Sequence, residues 1–179
     1  DLYGQKNLIK ILQKLTALVN IKSVRLLYCY PEMIDDGLIE EIKSNNKIIK
    51  YLDIPLQHSE NRILKLMNRR GTREEYLNLF KKLRENIPDI ALRSTFIAGF
   101  PTETEEECEA LCDFLREAKF DNCGFFAYSR EPDTPAYKLK GQLTDSVKNK
   151  RVKKLYSVQR EISASKLRNR VGEKLNVLC

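Results

Sequence analysis

Apolar residues recur along the chain at two spacings, which predict helices and strands in alternation. A helical repeat predicts helices over residues 2–19, 36–46, 60–68, 73–86 and 144–170, and one more helix that ends at about Lys119. Compact apolar runs closed by turn residues predict strands over residues 24–30, 48–56, 90–100 and 123–129. Strands that alternate with helices pair in parallel through right-handed crossovers, so the pattern indicates an α/β fold.

Helix starts and breaks refine this pattern. Thr72 and Glu75 have the spacing of a capping box and predict the start of the helix over 73–86. Thr102 and Glu105 have the same spacing and predict the start of the helix that ends at Lys119. Residues 130–142 are predicted to form a loop. Residues 171–178 predict the first strand of a further domain, which is cut off at the end of the chain.

Length and composition limit the class of protein. The chain has 179 residues, whereas a complete eight-unit α/β barrel needs roughly 250. An apolar content of 42% with 32% charged residues is typical of a soluble globular domain. No apolar run approaches the ~20 residues of a membrane helix, and the first residues do not resemble a signal peptide. We therefore expect a cytoplasmic protein with no membrane partner.

Charge and cysteine usage add two expectations. The net charge of +7 permits an RNA or ribosome partner, and ten basic residues crowd residues 148–174. The alternative interpretation of this run is a solvated helix face. The five cysteines show no disulfide framework, so reduced thiols are expected.

Parallel α/β folds bind ligands at the carboxyl ends of their strands, and polar residues stand at these places in the sequence. His58, the only histidine, follows the second strand. Gly99 ends the third strand, where it either lets a ligand approach the backbone or simply makes the turn. The residues at 128–131 follow the fourth strand. The sequence thus predicts a site for a small polar ligand at this end of the sheet.

Strand alternation assigns faces to the second and third strands. Leu52, Ile54 and Leu56 share the face that packs on helices, whereas Asp53 and Gln57 share the barrel-facing side. If Arg93 also points inward, it is placed to pair with Asp53, because a buried charge needs a partner or a ligand. An internal ion pair and a ligand contact remain open as alternatives.

The pair Cys108 and Cys112 has the spacing that begins a radical S-adenosylmethionine (SAM) cluster motif. The motif requires a third cysteine three residues further on, where Leu115 stands. The pair also lies in the middle of a predicted helix rather than after a strand. We therefore interpret both as structural cysteines.

Four strings in the right order resemble the radical SAM methylthiotransferase family. They are residues 25–31 (RLLYCYP), 51–58 (YLDIPLQH), 93–104 (RSTFIAGFPTET) and 126–131 (FAYSRE) with 134–136 (TPA). The second string is closest to the RimO branch, which methylthiolates an aspartate of a small-subunit ribosomal protein. The tRNA-modifying MiaB branch differs in the strings after the second and fourth strands. Pro132, Asp133 and Thr102 depart from the family pattern.

The resemblance implies a fold and a set of cofactors. The chain is expected to be a fragment holding about four parallel βα units, strands 3 to 6, of a radical-SAM TIM-like barrel over 1–142. A long connecting helix over 143–171 and the start of a TRAM domain over 172–179 are expected to follow. The cofactors are SAM and two 4Fe–4S clusters, whose ligands belong upstream of the chain. The fragment alone is then catalytically inert.

The resemblance also implies site residues and partners. The residues that line the SAM and substrate side are Gln57, His58, Arg93, Thr95, Gly99, Tyr128 and Ser129. No metal ligand and no catalytic residue is assigned. The implied partners are a small-subunit ribosomal protein and a cytosolic electron donor. The alternatives are a tRNA substrate, or a ribosome-binding or RNA-binding module without catalysis.

Overall fold

Strands and helices alternate along the chain in a computed structural model, which describes residues 7–174. The elements in chain order are α1 (Leu8–Ala17), β1 (Val24–Leu26), α2 (Asp36–Ser44), β2 (Ile48–Asp53), α3 (Asn61–Leu66), α4 (Arg73–Asn86), β3 (Ala91–Ala98), α5 (Glu105–Ala118), β4 (Asn122–Ala127) and α6 (Asp145–Arg168). Two short 3-10 turns lie at Pro31–Met33 and Pro135–Lys138. No helix within the described range is long and apolar enough to cross a membrane.

The strands form one parallel sheet in the order β1-β2-β3-β4. Asp53 of β2 lies in register with Arg93 of β3, and β3 pairs with β4 from Arg93 to Ala98. The predicted α/β fold with parallel strands and a long carboxyl-terminal helix is confirmed. Because the strands are parallel and sequential, the loops that follow all four converge at one end of the sheet.

Most predicted elements are present, with shifted ends. The helix over 73–86 is confirmed as α4, including the capping box of Thr72 with Glu75. The strand over 24–30 is shorter than predicted, since β1 ends at Leu26 and Tyr28 has a φ of 56°. Residues 2–6 of the first predicted helix lie outside the described range. Residues 171–172 form a turn rather than a strand, and 175–179 also lie outside that range.

The prediction that Thr102 caps the fifth helix is wrong. Thr104 is the N-cap, with its hydroxyl accepting from the amide of Glu107 and the Glu107 carboxylate accepting from the amide of Thr104. Thr102 instead adopts a φ of 69° and donates its amide to the carbonyl of Gly141. The overlapping Thr-x-x-Glu patterns were both eligible, and this long-range bond selects the second.

The core lies on one face of the sheet, under helices α2, α4, α5 and α6. Four phenylalanine rings form its centre, with centroid separations of 5.0 Å between Phe80 and Phe120 and 5.9 Å between Phe96 and Phe120. Leu52, Ile54 and Leu56 are buried on this side, as predicted. The opposite face is open at its β2 and β4 positions, where Ile49 and Phe126 are exposed.

Candidate active site at the strand ends

A pocket of about 250 Å³ lies where β1, β2 and β3 end, and we call it the strand-end pocket. It is lined by Tyr28, Cys29, Tyr30, Pro55, Gln57, Arg69 and Thr95. These residues come from the segments after β1 and β2, from the end of α3 and from within β3. The structure thus brings together Gln57 and Thr95 of the predicted site. Tyr28, Tyr30 and Arg69 were not predicted as site residues.

The backbone around this pocket is unusual. Tyr28 has a φ of 56° and Gln57 a φ of 74°, in the left-handed region that side chains other than glycine seldom adopt. Gln57 is fixed there by two backbone hydrogen bonds, from its amide to the Thr95 carbonyl (2.9 Å) and from the Ile97 amide to its carbonyl (2.8 Å). Such conformations cost of order 1–3 kcal/mol each and cluster at functional sites.

Arg93 and Asp53 form an ion pair, which is one of the two alternatives that strand alternation left open. The Nη1 atom of Arg93 lies 2.8 Å from Oδ1 of Asp53 and 3.3 Å from Oγ1 of Thr95. The hydrogen bond to Asp53 raises the pKa of Arg93. Asp53 is buried, whereas 30% of the Arg93 side chain stays exposed on the open face of the sheet. Arg93 therefore binds the Asp53 carboxylate through Nη1, and the other N–H groups of its guanidinium can donate to a ligand.

Cys29 lies against this pair at the end of β1. Its amide donates to the carbonyl of Asp53 (2.8 Å), and its thiol lines the strand-end pocket. Burial, and to a lesser degree the negative charge of Asp53, raise the pKa of the Cys29 thiol. The thiol is therefore protonated at neutral pH, which makes it a poor nucleophile.

A cluster of buried polar side chains lies next to the segments that follow β2 and β3. The Glu103 carboxylate accepts hydrogen bonds from the amides of Gly99 (2.8 Å) and Phe100 (3.2 Å), and Nη1 of Arg151 lies 2.7 Å from its Oε1. The ring of His58 is 0% exposed, with Nδ1 accepting from the amide of Glu60. Its Nε2 lies 3.4 Å from Oε2 of Glu103 without hydrogen-bond geometry. Glu103 and Arg151 were not predicted from the sequence.

Gly99 is enclosed by α6 rather than open to the pocket. It has a φ of 75°, and a Cβ at this position would lie 2.5 Å from Cγ of Lys148. Its conformation and the close approach of α6 both require glycine. The structure therefore buries His58 and Gly99, and neither lines the strand-end pocket.

The end of β4 lies apart from the strand-end pocket. Tyr128 is buried, with its ring centroid 5.2 Å from that of Phe100 and its hydroxyl without a hydrogen-bond partner. Lys148 lies 5.7 Å from the centroid of the Tyr128 ring. Ser129 is exposed and hydrogen-bonds Glu131. These two predicted residues therefore flank the site instead of lining its pocket.

The thiols of the described residues do not form a metal-binding group. Cys108 and Cys112 are buried inside α5, and the hydrogen bond between them, together with burial, raises the pKa of Cys108. Burial likewise raises the pKa of Cys123 in β4. Across residues 7–174, no three His, Cys, Asp or Glu side chains are close enough to hold a metal ion.

A parallel α/β sheet with a polar pocket at its carboxyl end is the arrangement of α/β enzymes, both barrels and open sheets. A sequence model of the radical SAM superfamily matches residues 3–115, well over half of the chain. The chain therefore belongs to the radical SAM superfamily. The family implies SAM and a 4Fe–4S cluster as cofactors.

The chain is also similar to individual proteins. It is 51% identical to the ribosomal protein uS12 methylthiotransferase RimO of Thermodesulfovibrio yellowstonii, over 99% of this chain and 42% of that protein. It is 50% identical to the RimO of Lachnoclostridium phytofermentans, over 99% of this chain and 40% of that protein. The chain thus spans about two fifths of the length of these curated relatives.

A solved structure supports the fold. The radical SAM enzyme coproporphyrinogen III oxidase (HemN) of Escherichia coli superposes with a TM-score of 0.66 at 17% identity. The match covers 87% of this chain and 36% of that chain. At this level of identity the likeness shows the radical SAM fold alone.

The described residues fit one of the two family cofactors. Gln57 and Thr95 offer hydrogen-bonding groups, and the exposed rings of Tyr28 and Tyr30 offer surfaces for a base or a sulfonium. These groups suit part of a SAM molecule. A 4Fe–4S cluster needs three thiolates in one loop, and the described thiols are dispersed over the segment after β1, α5 and β4, so the cluster does not fit residues 7–174.

Proposed function

We propose that the chain is part of a RimO-type methylthiotransferase, which adds a methylthio group to the β-carbon of an aspartate in a small-subunit ribosomal protein. The observation that carries this proposal is the 51% identity to a ribosomal protein uS12 methylthiotransferase over 99% of the chain. The chain by itself is inactive in this proposal, because its described residues hold no cluster site.

SAM is proposed to bind at the strand-end pocket, where its cleavage supplies the radical that abstracts a substrate hydrogen. Gln57 and Thr95 contact it from the pocket, and Arg93 contacts it from the adjoining open face of the sheet. Gly99 holds the loop after β3 through the hydrogen bond from its amide to Glu103, and the buried His58 ring lies 3.4 Å from the same carboxylate. Tyr128 and Ser129 flank the substrate side at the end of β4.

The remaining parts of the proposal concern the whole protein. The whole protein would hold two 4Fe–4S clusters, which would supply electrons and sulfur, and it would have a cytosolic electron donor as a partner. The chain divides into a partial barrel over 1–142, a connecting helix over 143–171 and the start of a TRAM domain from residue 172. The resemblance of the four sequence strings to the methylthiotransferase family supports these points and a cytoplasmic location.

A tRNA substrate is the second candidate, and one feature of α6 favours it. Five of the ten basic residues over 148–174 form ion pairs, among them Arg151 with Glu103 and Lys166 with Asp121. Within α6, the exposed cations that have no carboxylate of the described residues within 4.0 Å are Lys150, Lys153, Arg160 and Arg168. Their spacing places all four on one side of α6, which suits a phosphate backbone.

The identity of the modified product decides between the two substrates. The whole protein that contains this chain, reconstituted with clusters and SAM, is expected to methylthiolate the small-subunit ribosomal protein. Mass spectrometry of that protein and of tRNA from the same reaction measures both outcomes. Modified tRNA with unmodified ribosomal protein would reject the first candidate in favour of the second.

SAM binding by the chain itself tests the placement of the cofactor. Calorimetry is expected to show saturable binding that weakens about 10-fold or more in Gln57→Ala and in Arg93→Ala, since each loses hydrogen bonds to a charged ligand. Arg116→Ala removes an exposed arginine on the outer surface of α5 and serves as the control. Unchanged affinity in both site variants, or no binding to the parent chain, would contradict the placement.

A further inference from the structure

Exposed cations line the side of α6 that points away from the sheet, and we call this surface the outer basic face. It consists of Lys150, Lys153, Arg160 and Arg168. At 3.6 residues per turn, these positions fall within about 80° of one another around the helix axis. The buried residues Leu155 and Val158 lie on the opposite side, where α6 packs on β3 and β4. The outer basic face is therefore directed outward.

The charges of the outer basic face are not neutralised by ion pairs among residues 7–174. Every other lysine and arginine of α6 pairs with a carboxylate, as Arg151 does with Glu103 and Lys166 with Asp121. The four cations of the face have no such partner in that range. By the same helical count, Glu161 is the acidic residue of α6 on this side, and it is exposed. The face thus presents a positive charge that can attract an anionic partner.

The outer basic face begins at the end of the sheet that holds the candidate active site. Lys148, in the first turns of α6, lies against Gly99 at the end of β3. The later turns lie beside the start of β4, where Gln159 donates to the carbonyl of Phe120 (2.9 Å). At 1.5 Å per residue, the face extends over about 27 Å, from the active-site end of the sheet to the other end. A nucleic-acid duplex carries several phosphates over this length.

We propose that the outer basic face binds the phosphate backbone of ribosomal RNA next to the substrate protein. This inference rests on the proposed function, because it takes the substrate aspartate to be presented by an assembled small ribosomal subunit. None of the four cations lines the strand-end pocket, so the RNA on this face is an anchor and not the reacting group. Phosphate contacts suit an anchor, since they position a partner without reading its sequence.

RNA binding by the whole protein that contains this chain tests the face. The probe is a short RNA duplex of ribosomal sequence, and its affinity is measured over a series of salt concentrations. Two double variants each remove half of the face: Lys150→Gln with Lys153→Gln, and Arg160→Gln with Arg168→Gln. The matched control is Lys10→Gln with Lys14→Gln, because both lysines are exposed on α1, which packs on β1 at the opposite edge of the sheet.

Each α6 double variant is expected to lower the magnitude of the slope of log affinity against log salt by about 1.4–1.8, the value for two lost phosphate contacts. The control leaves the slope unchanged, although it alters the net charge equally. Glu161→Gln is expected to strengthen binding, because it removes a negative charge from the face. A control that lowers the slope as much as the α6 variants, weaker binding by Glu161→Gln, or a parent protein that does not bind the duplex overturns the proposal.

Modification kinetics identify the source of the RNA. The substrates are the free ribosomal protein, the assembled small subunit and tRNA. The α6 double variants are expected to raise KM about 10-fold or more for the assembled subunit and to leave KM for the free protein unchanged, since the subunit supplies RNA phosphates. Equal effects on the free and the assembled substrate, or a raised KM for tRNA modification, would overturn the assignment to ribosomal RNA.

Failure of the proposed function gives a different result. A parent protein that binds the duplex through the outer basic face, but modifies neither form of the ribosomal protein, would reject the proposed function and leave the RNA-binding face intact. The duplex measurement needs neither clusters nor SAM, so it is independent of turnover.

Discussion

Replacement of Phe96 by alanine is expected to lower the free energy of unfolding by about 3–5 kcal/mol. Phe96 lies in β3 and is 0% exposed. Its ring centroid is 6.3 Å from Phe114, 5.9 Å from Phe120 and 5.9 Å from Phe125, so it joins the sheet to α5. The substitution removes the burial of one ring and leaves a cavity among three others, which cannot all close it.

Urea denaturation of the parent chain and of the variant measures this loss. Phe126→Ala is the matched control, because Phe126 lies in the neighbouring strand β4 but is 59% exposed on the opposite face. Its change is expected to stay within about 0.5 kcal/mol, as for other surface substitutions. Equal losses in the two variants would mean that the open face of the sheet is buried in solution.

Replacement of Arg151 by methionine is expected to cost about 3–5 kcal/mol, for an electrostatic reason. The side chains of Arg151 and Glu103 are 6% and 1% exposed, and Nη1 of Arg151 also donates to the Glu103 carbonyl (3.0 Å). Methionine fills much of the space but leaves the Glu103 carboxylate buried without its cation. The amides of Gly99 and Phe100 then remain as its hydrogen-bond donors.

The double variant Glu103→Gln with Arg151→Met tests this explanation by the same denaturation measurement. Neutral glutamine can still accept from the Gly99 amide, so a large part of the lost stability should return. Arg116→Met is the control, since its pair with Asp113 is exposed and worth at most about 0.5 kcal/mol. A double variant no more stable than Arg151→Met would show that lost packing, not the unpaired charge, causes the effect.

Local patterns in the sequence were sufficient for the elements and for one side-chain pair. The helix over 73–86 has a capping box at its start and the break at 86–89 after it, so both ends were predictable. The pairing of Asp53 with Arg93 followed from strand alternation, which places both on one face once the strands are adjacent. Both inferences depend on residues close in sequence or on a simple two-residue period.

The missed features depend on contacts between distant residues. Glu103 and Arg151 are 48 residues apart, and nothing in their local sequence distinguishes them from the exposed charges around them. Arg69 reaches the strand-end pocket only because Asn68 reverses the chain after α3. The capping residue of α5 was misassigned for the same reason, since the bond from Thr102 to Gly141 joins two loops that α5 and β4 separate in the sequence.

The Glu103–Arg151 pair also links the position of α6 to the shape of the loop after β3. Arg151 belongs to α6, while Glu103 holds the amides of Gly99 and Phe100. A macromolecule that binds the outer side of α6 more tightly in one arrangement therefore raises the population of the matching loop. By thermodynamic reciprocity, a ligand that selects the same loop arrangement strengthens the binding of that macromolecule by the same factor.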